Sequence, residues 1–235
     1  PFEIVNCIEA ACTMGPREGL AFEKQAFARC LESPARAAQV HLFFAERTAA
    51  KVDGLPAEVK PRPIRKVGII GAGTMGNGIA QACAVAGVDV VMVDISDAAV
   101  LKGVATVANS LDRLIKKEKI SGADKDAALA HIQTSTNYEA LKGTQLIIEA
   151  ATENYELKLK SLKQVDAIAG PEVLIASNTS SISITKLAAA TSRPGHFIGM
   201  HFFNPVPMMA LVELIRGVQT SDATHDAVKA LALRL

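Results

Sequence analysis

The sequence predicts an α/β protein on a doubly wound, mostly parallel sheet, and three observations carry that expectation. From residue 66 onward, short apolar runs of strand length alternate with longer amphipathic segments. The glycine-rich turn Gly71-Ala72-Gly73-Thr74-Met75-Gly76 stands directly between the apolar run Lys66–Ile70 and a helical pattern. Asp94 closes the next apolar run, which begins at Val88. Strand, turn, helix, strand and acidic cap in that order make the sheet Rossmann-like.

Residues 1 to about 52 read as helical. Ser33-Pro34 offers an N-cap followed by proline at the first helical position. The segment then runs from Ala35 to Val52 through Val40, Phe43 and Phe44, with charges between them. Fifty residues are too few to bury such a helix completely. Residues 53–64 read as a linker, because Pro56, Pro61 and Pro63 forbid helix and stiffen the path. The third region, 65–235, carries strand candidates at 66–70, 88–94, 144–149, 173–176, 197–203 and 210–216. Its clearest helix places Val100, Val104, Val107, Leu111 and Ile115 at three- and four-residue steps. A last helix begins near Ser221.

Hydrophobic residues make up 49% of the 235, and the formal charge of +1 offers no single-sign field for nucleic acid or an anionic membrane. The lack of Trp argues against base-stacking platforms. Four cysteines, Cys7, Cys12, Cys30 and Cys83, lie far apart, which fits a reducing compartment better than a disulfide scaffold. Cys83 falls inside the helix after the glycine turn and is expected buried. No leader or membrane-inserting span is read. His41, His131, His196 and His225 lack partners at metal-ligand spacing, so no metal site is expected. A start on Pro1 rather than Met suggests a piece of a longer protein.

The glycine turn predicts a dinucleotide site. Gly71 permits the tight turn, Gly73 lets a ligand approach the backbone, and Gly76 lets helix pack on strand. The free N–H groups of the helix start then face a pyrophosphate. Asp94 sits where a carboxylate accepts from a ribose 2′-OH. No arginine follows it in Ile95-Ser96-Asp97, so the cofactor read is NAD rather than NADP. Three further clusters fall where later strands should end: Ala151 to Lys158, Ser177 to Ser181, and His201-Phe202-Phe203-Asn204-Pro205-Val206-Pro207 followed by Glu213.

Taken together, these runs resemble the NAD-binding domain of (S)-3-hydroxyacyl-CoA dehydrogenases. Gly19 to Phe27 and Leu42 to Arg47 resemble the end of a crotonase-type hydratase domain and its linker helix. The whole chain thus resembles the middle of a multifunctional fatty-acid oxidation enzyme. That resemblance implies a catalytic base at His201, oriented by Glu213, and Ser180 and Asn204 as contacts to substrate and nicotinamide. It implies cofactor contacts at Thr74, Met75, Asp94, Ala151, Thr152, Glu153 and Lys158, beside the three glycines. Ser110 and Lys117 match contacts to the CoA portion. An imidazole suits a proton acceptor working near neutrality. The implied reaction is oxidation of (S)-3-hydroxyacyl-CoA to 3-ketoacyl-CoA, with hydratase and thiolase modules as partners. Bacterial cytoplasm is the first expectation for location, with peroxisome and mitochondrial matrix left open.

Plainer readings of the same residues stay open. Glu153 and Lys158 also fit a surface ion pair, and Ser177 to Ser181 a helix cap. A module that binds NAD and mainly connects parts of a larger assembly is the second functional reading. Another NAD enzyme of the same architecture is the third. The family's hydratase glutamates and its C-terminal helical domain match nothing in this sequence.

Overall fold

The computed structural model describes residues 2–49 and 61–235, and the chain divides into two compact units, Pro1–Val59 and Lys60–Leu235. In the first unit lie α1 (Phe2–Thr13), α2 (Pro16–Glu32) and α3 (Pro34–Ala49). Pro16 opens α2, where a missing N–H leaves no bond unmade. Ser33 is extended, as a residue before proline prefers, and this ends α2. Its hydroxyl accepts from Arg36 N at 3.2 Å, so the start of α3 is as the sequence predicts. Small Ala10 and Ala26 are buried where α1 meets α2, and Arg29 pairs with Glu3 at 2.9 Å. Phe2, Leu20, Phe27 and Phe44 remain exposed. Residues 50–52 of the expected helix and 53–60 of the expected linker lie outside the described residues.

The second unit runs β1 (Lys66–Ile70), α4 (Thr74–Val85), β2 (Asp89–Val93), α5 (Asp97–Ile115), α6 (Gly122–Ala130), β3 (Ile132–Ser135) and β4 (Leu146–Glu149). It continues through α7 (Tyr155–Ile168), β5 (Leu174–Ser177), α8 (Ile184–Ala188), β6 (Phe197–Phe202), β7 (Val212–Arg216) and α9 (Asp222–Arg234). Seven strands form one sheet in the order β3-β2-β1-β4-β5-β6-β7. Every pairing is parallel except β6 with β7. The chain winds outward from β1 to β3, then crosses to β4 and winds the other way. Ligands of such sheets bind at that reversal, outside the carboxyl ends of β1 and β4. The sheet is doubly wound and Rossmann-like, as predicted.

Period-two alternation sorts the core into two layers. Val67, Ile69, Val90, Met92, Leu146 and Ile148 pack with Ile79 and Cys83 of α4 and Val228 of α9. Ile70, Val91, Val93, Ile147 and Ile175 point the other way, onto Leu162 and Val165 of α7. Ile64, expected in the linker, belongs to the first layer. Cys83 is fully buried, and loss of water pushes its thiol up to about 12, so it stays a neutral packing group. β3 was not among the expected strands. It is a four-residue edge with Gln133 and Thr134 exposed, so it presents no apolar run to read. Among the described residues no helix is long and apolar enough to cross a membrane.

Candidate active site

The turn after β1 is built around the positions where a side chain cannot fit. Gly71 has φ +101°, and a Cβ there would lie 2.8 Å from the Ala150 carbonyl oxygen. A Cβ on Gly76 would sit 1.7 Å from the Gly71 oxygen, so only glycine lets α4 start this close to β1. Gly73 differs: its φ is ordinary and a Cβ would meet nothing within 4 Å. The protein itself makes no demand for glycine at 73. The space beside it is open, in the place where a pyrophosphate would approach the backbone. No side chain caps α4, which leaves its first N–H groups facing the same space. The residues present therefore fit a dinucleotide.

That space is the end of a cleft of about 1150 Å³, lined by Gly71, Gly73, Thr74, Met75 and Asp94, and across from them by Ala151 and Thr152. Asp94 Oδ2 accepts from Ala72 N at 2.6 Å and Oδ1 from Ile95 N at 2.7 Å. The carboxylate thus ties the end of β2 to the glycine turn while lining the cleft. Ser96 caps α5 through Ala99 N, and the residues after Asp94, Ile95-Ser96-Asp97, include no arginine.

A second cleft, about 340 Å³, is lined by Thr179, Ser180, Ser181, His201, Glu213 and Arg216 among others. β6 and β7 are antiparallel with His201 directly opposite Glu213, so their side chains share a face. His201 Nδ1 lies 2.8 Å from Glu213 Oε2. A carboxylate only accepts, so Nδ1 carries the proton and Nε2 is the nitrogen left for a substrate. The His201 side chain keeps 18% of its surface exposed and its ring lies 4.6 Å from that of Phe203. The turn between the two strands seats Val206 against Gly78 of α4, where a Cβ would come within 2.9 Å of Val206 Cβ. Gly78 thereby brings the turn bearing Asn204 onto the dinucleotide helix.

Glu153 and Lys158 are not a surface pair. Lys158 shares the buried stripe of α7 with Leu162 and Val165, and its Nζ is 2.9 Å from both oxygens of Glu149 and 3.3 Å from Glu153 Oε2. At 1% exposure its ammonium is enclosed by these carboxylates. Glu153 Oε1 accepts from the Thr179 hydroxyl, from Ser180 N at 3.3 Å and from Ser181 Oγ at 3.4 Å. Burial pushes its carboxyl up, but the Thr179 hydroxyl and the Lys158 charge outweigh this and hold it below the usual carboxylate range.

Asn204 is exposed in the turn and lines neither cleft. Ser110 lies on α5 and Lys117 just beyond its end, and neither lines the two clefts. Sequence reading gave no role to Glu149 or Gly78, nor to Thr179 and Asn178 within the Ser177–Ser181 cluster; Asn178 Oδ1 accepts from Phe202 N at 2.8 Å and ties β5 to β6. Glu149 left a signal of its own: a carboxylate ending the apolar run Leu146-Ile147-Ile148, matched by a lysine on an apolar helix stripe. Among the described residues no group of three or more His, Cys, Asp or Glu could hold a metal.

The switch-point cleft, the glycine turn and the acidic end of β2 define a dinucleotide-binding α/β protein. Residues 66–235 match the family described as 3-hydroxyacyl-CoA dehydrogenase, NAD binding domain. The chain belongs to that family, and its cofactor is NAD. A 3-hydroxybutyryl-CoA dehydrogenase of Bradyrhizobium diazoefficiens is 49% identical over 172 residues, 73% of this chain and 59% of the relative. A fatty acid oxidation complex subunit alpha of Colwellia psychrerythraea is 34% identical over all 235 residues but only 32% of its own length. The crystal structure of (S)-3-hydroxybutyryl-CoA dehydrogenase PaaH1 from Ralstonia eutropha superposes with a TM-score of 0.72 at 75% identity. It shares 73% of this chain and 60% of that one. The chain thus spans from about a third to three fifths of these relatives.

Proposed function

We propose that the protein containing this chain oxidises the 3-hydroxyl of an (S)-3-hydroxyacyl-CoA to a 3-ketone in fatty-acid β-oxidation. The His201–Glu213 pair, 2.8 Å apart beside Ser180, is the observation that carries this reading. NAD, when bound, supplies the acceptor for the hydride that leaves C3. His201 Nε2 takes the hydroxyl proton, and Glu213 stabilises the imidazolium that results. Ser180 and Asn204 hydrogen-bond the substrate oxygen and the carboxamide end of the cofactor. Gly71, Gly73, Thr74, Met75 and Gly76 hold the pyrophosphate, and Asp94 accepts from the ribose. Ala151, Thr152 and Glu153 line the path between them, with Lys158 supporting Glu153. Ser110 and Lys117 meet the CoA. The regions 1–52, 53–64 and 65–235 act as hydratase-domain tail, linker and NAD-binding domain.

Calorimetric titration with NADH, paired with an acetoacetyl-CoA reduction assay, tests the reading. Folded protein that binds no NADH removes it. The exposed Phe2, Leu20 and Phe27 of the first unit favour a second reading, in which the chain also docks hydratase or thiolase modules of a bacterial cytoplasmic complex. Pull-down with those modules separates the two.

A further inference from the structure

Glu149 is the last residue of β4 and has no exposed surface, yet three donors converge on its carboxylate. Ala151 N donates to Oε1 at 2.9 Å, Ser177 Oγ to Oε2 at 2.7 Å, and Lys158 Nζ to both at 2.9 Å. Those donors come from three places: the loop after β4, the end of β5 and the buried stripe of α7. Lys158 also reaches Glu153, and Glu153 holds Thr179, Ser180 and Ser181 in the loop after β5. A continuous polar chain therefore runs from Ala151, which lines one cleft, to Ser180, which lines the other.

An ion pair taken fully out of water contributes little net stability, because desolvation offsets the attraction. What such a network does contribute is direction, since each bond holds only at one relative placement of its partners. We propose that Glu149 and Lys158 are positioning residues: a buried clamp that locks the loops after β4 and β5 together and so sets where Glu153 and Ser180 meet cofactor and substrate. The second half of that statement rests on the proposed function; the first does not. Neither residue touches substrate. Lys158 acts through Glu153, and Glu149 acts through Lys158, Ala151 and Ser177.

The test uses the full-length protein. Lys158→Met alone strands the charge of Glu149 in the core and is expected to lower the melting temperature strongly. The double variant Glu149→Gln/Lys158→Met removes both charges at similar volume and should melt near the wild type. Glu149→Gln alone, which keeps a carbonyl oxygen for its donors, covers the case in which the double variant does not fold. Hydrogen exchange at the amides of 151–153 and 179–182, read without cofactor, should be faster in either folded variant than in wild type. The kcat for acetoacetyl-CoA reduction should fall on the order of 10-to-100-fold, the scale of a small misplacement of reacting groups. Unchanged exchange overturns the clamp. Faster exchange with wild-type kcat and NADH affinity overturns its role in positioning and leaves only a packing device. Wild-type protein that binds no NADH removes the proposed function instead, while the exchange comparison still decides the clamp.

Discussion

Glu149 with Lys158 and Glu213 with His201 each join a carboxylate of the same sheet to a nitrogen base. The first pair is 0% and 1% exposed and is bonded from three elements; the second is 52% and 18% exposed and is bonded across one ladder. The difference follows from strand position. β4 is central with α7 packed over its end, so a carboxylate there needs partners on both oxygens to offset the loss of water. β7 is the antiparallel edge, so Glu213 keeps contact with water and orients His201 without burying it. One pair is fixed from several elements; the other leaves its imidazole at the edge of a cleft.

His201→Gln makes the sharpest test of that contrast. It removes the proton acceptor, and kcat should fall by about 10²-to-10⁴-fold. The melting temperature should stay within a few degrees of wild type, because the site is partly wet. A large loss of stability would mean that the edge pair is structural, like its buried counterpart. Glu213→Gln should act less: its carbonyl oxygen still accepts from Nδ1, and exchanging a charge-assisted bond for a neutral one removes about 1 kcal/mol, or roughly fivefold to tenfold in kcat. Its effect should appear in kcat rather than in KM for NADH, since Glu213 does not line the dinucleotide cleft.

Gly78→Ala probes the joint between the two clefts. The added methyl would come within 2.9 Å of Val206 Cβ, so the turn carrying Asn204 must shift. Overpacking costs about 1–3 kcal/mol, and the gain in helix propensity returns about 1 kcal/mol of it. A modest drop in melting temperature is expected, with a rise in KM for NADH. If both parameters match the wild type, the turn is seated elsewhere in solution.

The strands at 66–70 and 197–203, the glycine turn and the His201 cluster were legible because each announces itself locally, by apolar runs or by residues that only one backbone shape accepts. β3 was not, since a solvated edge strand needs no hydrophobic signature. The pairing of His201 with Glu213 was legible as two strands joined by a proline-rich turn, although its register awaited the antiparallel ladder. The buried network was not legible, and the surface pair stayed open as a reading of Glu153 and Lys158, for a physical reason. Glu153 precedes α7 and Lys158 lies in its first turn, and only the stripe that Lys158 shares with Leu162 and Val165 hints that it points inward. The missing partner, Glu149, lies on another element, and only the alternation of β4 assigns it to the layer facing α7.

Glu153 stands between the two kinds of pair, with one oxygen on buried Lys158 and its side chain 43% exposed, so acid should expose an intermediate behaviour. Its carboxyl is held below the usual range by the Thr179 hydroxyl and by Lys158, against the opposing push of burial. A lowered folded-state value means that the stabilisation is present above the unfolded value of about 4.3 and fades as pH falls through the lower, folded one. Solvent screening at that exposure limits the contribution to about a few tenths of a kcal/mol. Asp166 is lowered too, by Ser192 and Arg193 against its own burial, and it adds acid sensitivity of the same sign. Glu153→Gln separates the two: melting temperature against pH should keep the part due to Asp166 and lose part of its slope below about pH 4. An unaltered slope would mean that Glu153 is free of Lys158 and Thr179 in solution, and the polar chain between the two loops would be broken at its last link.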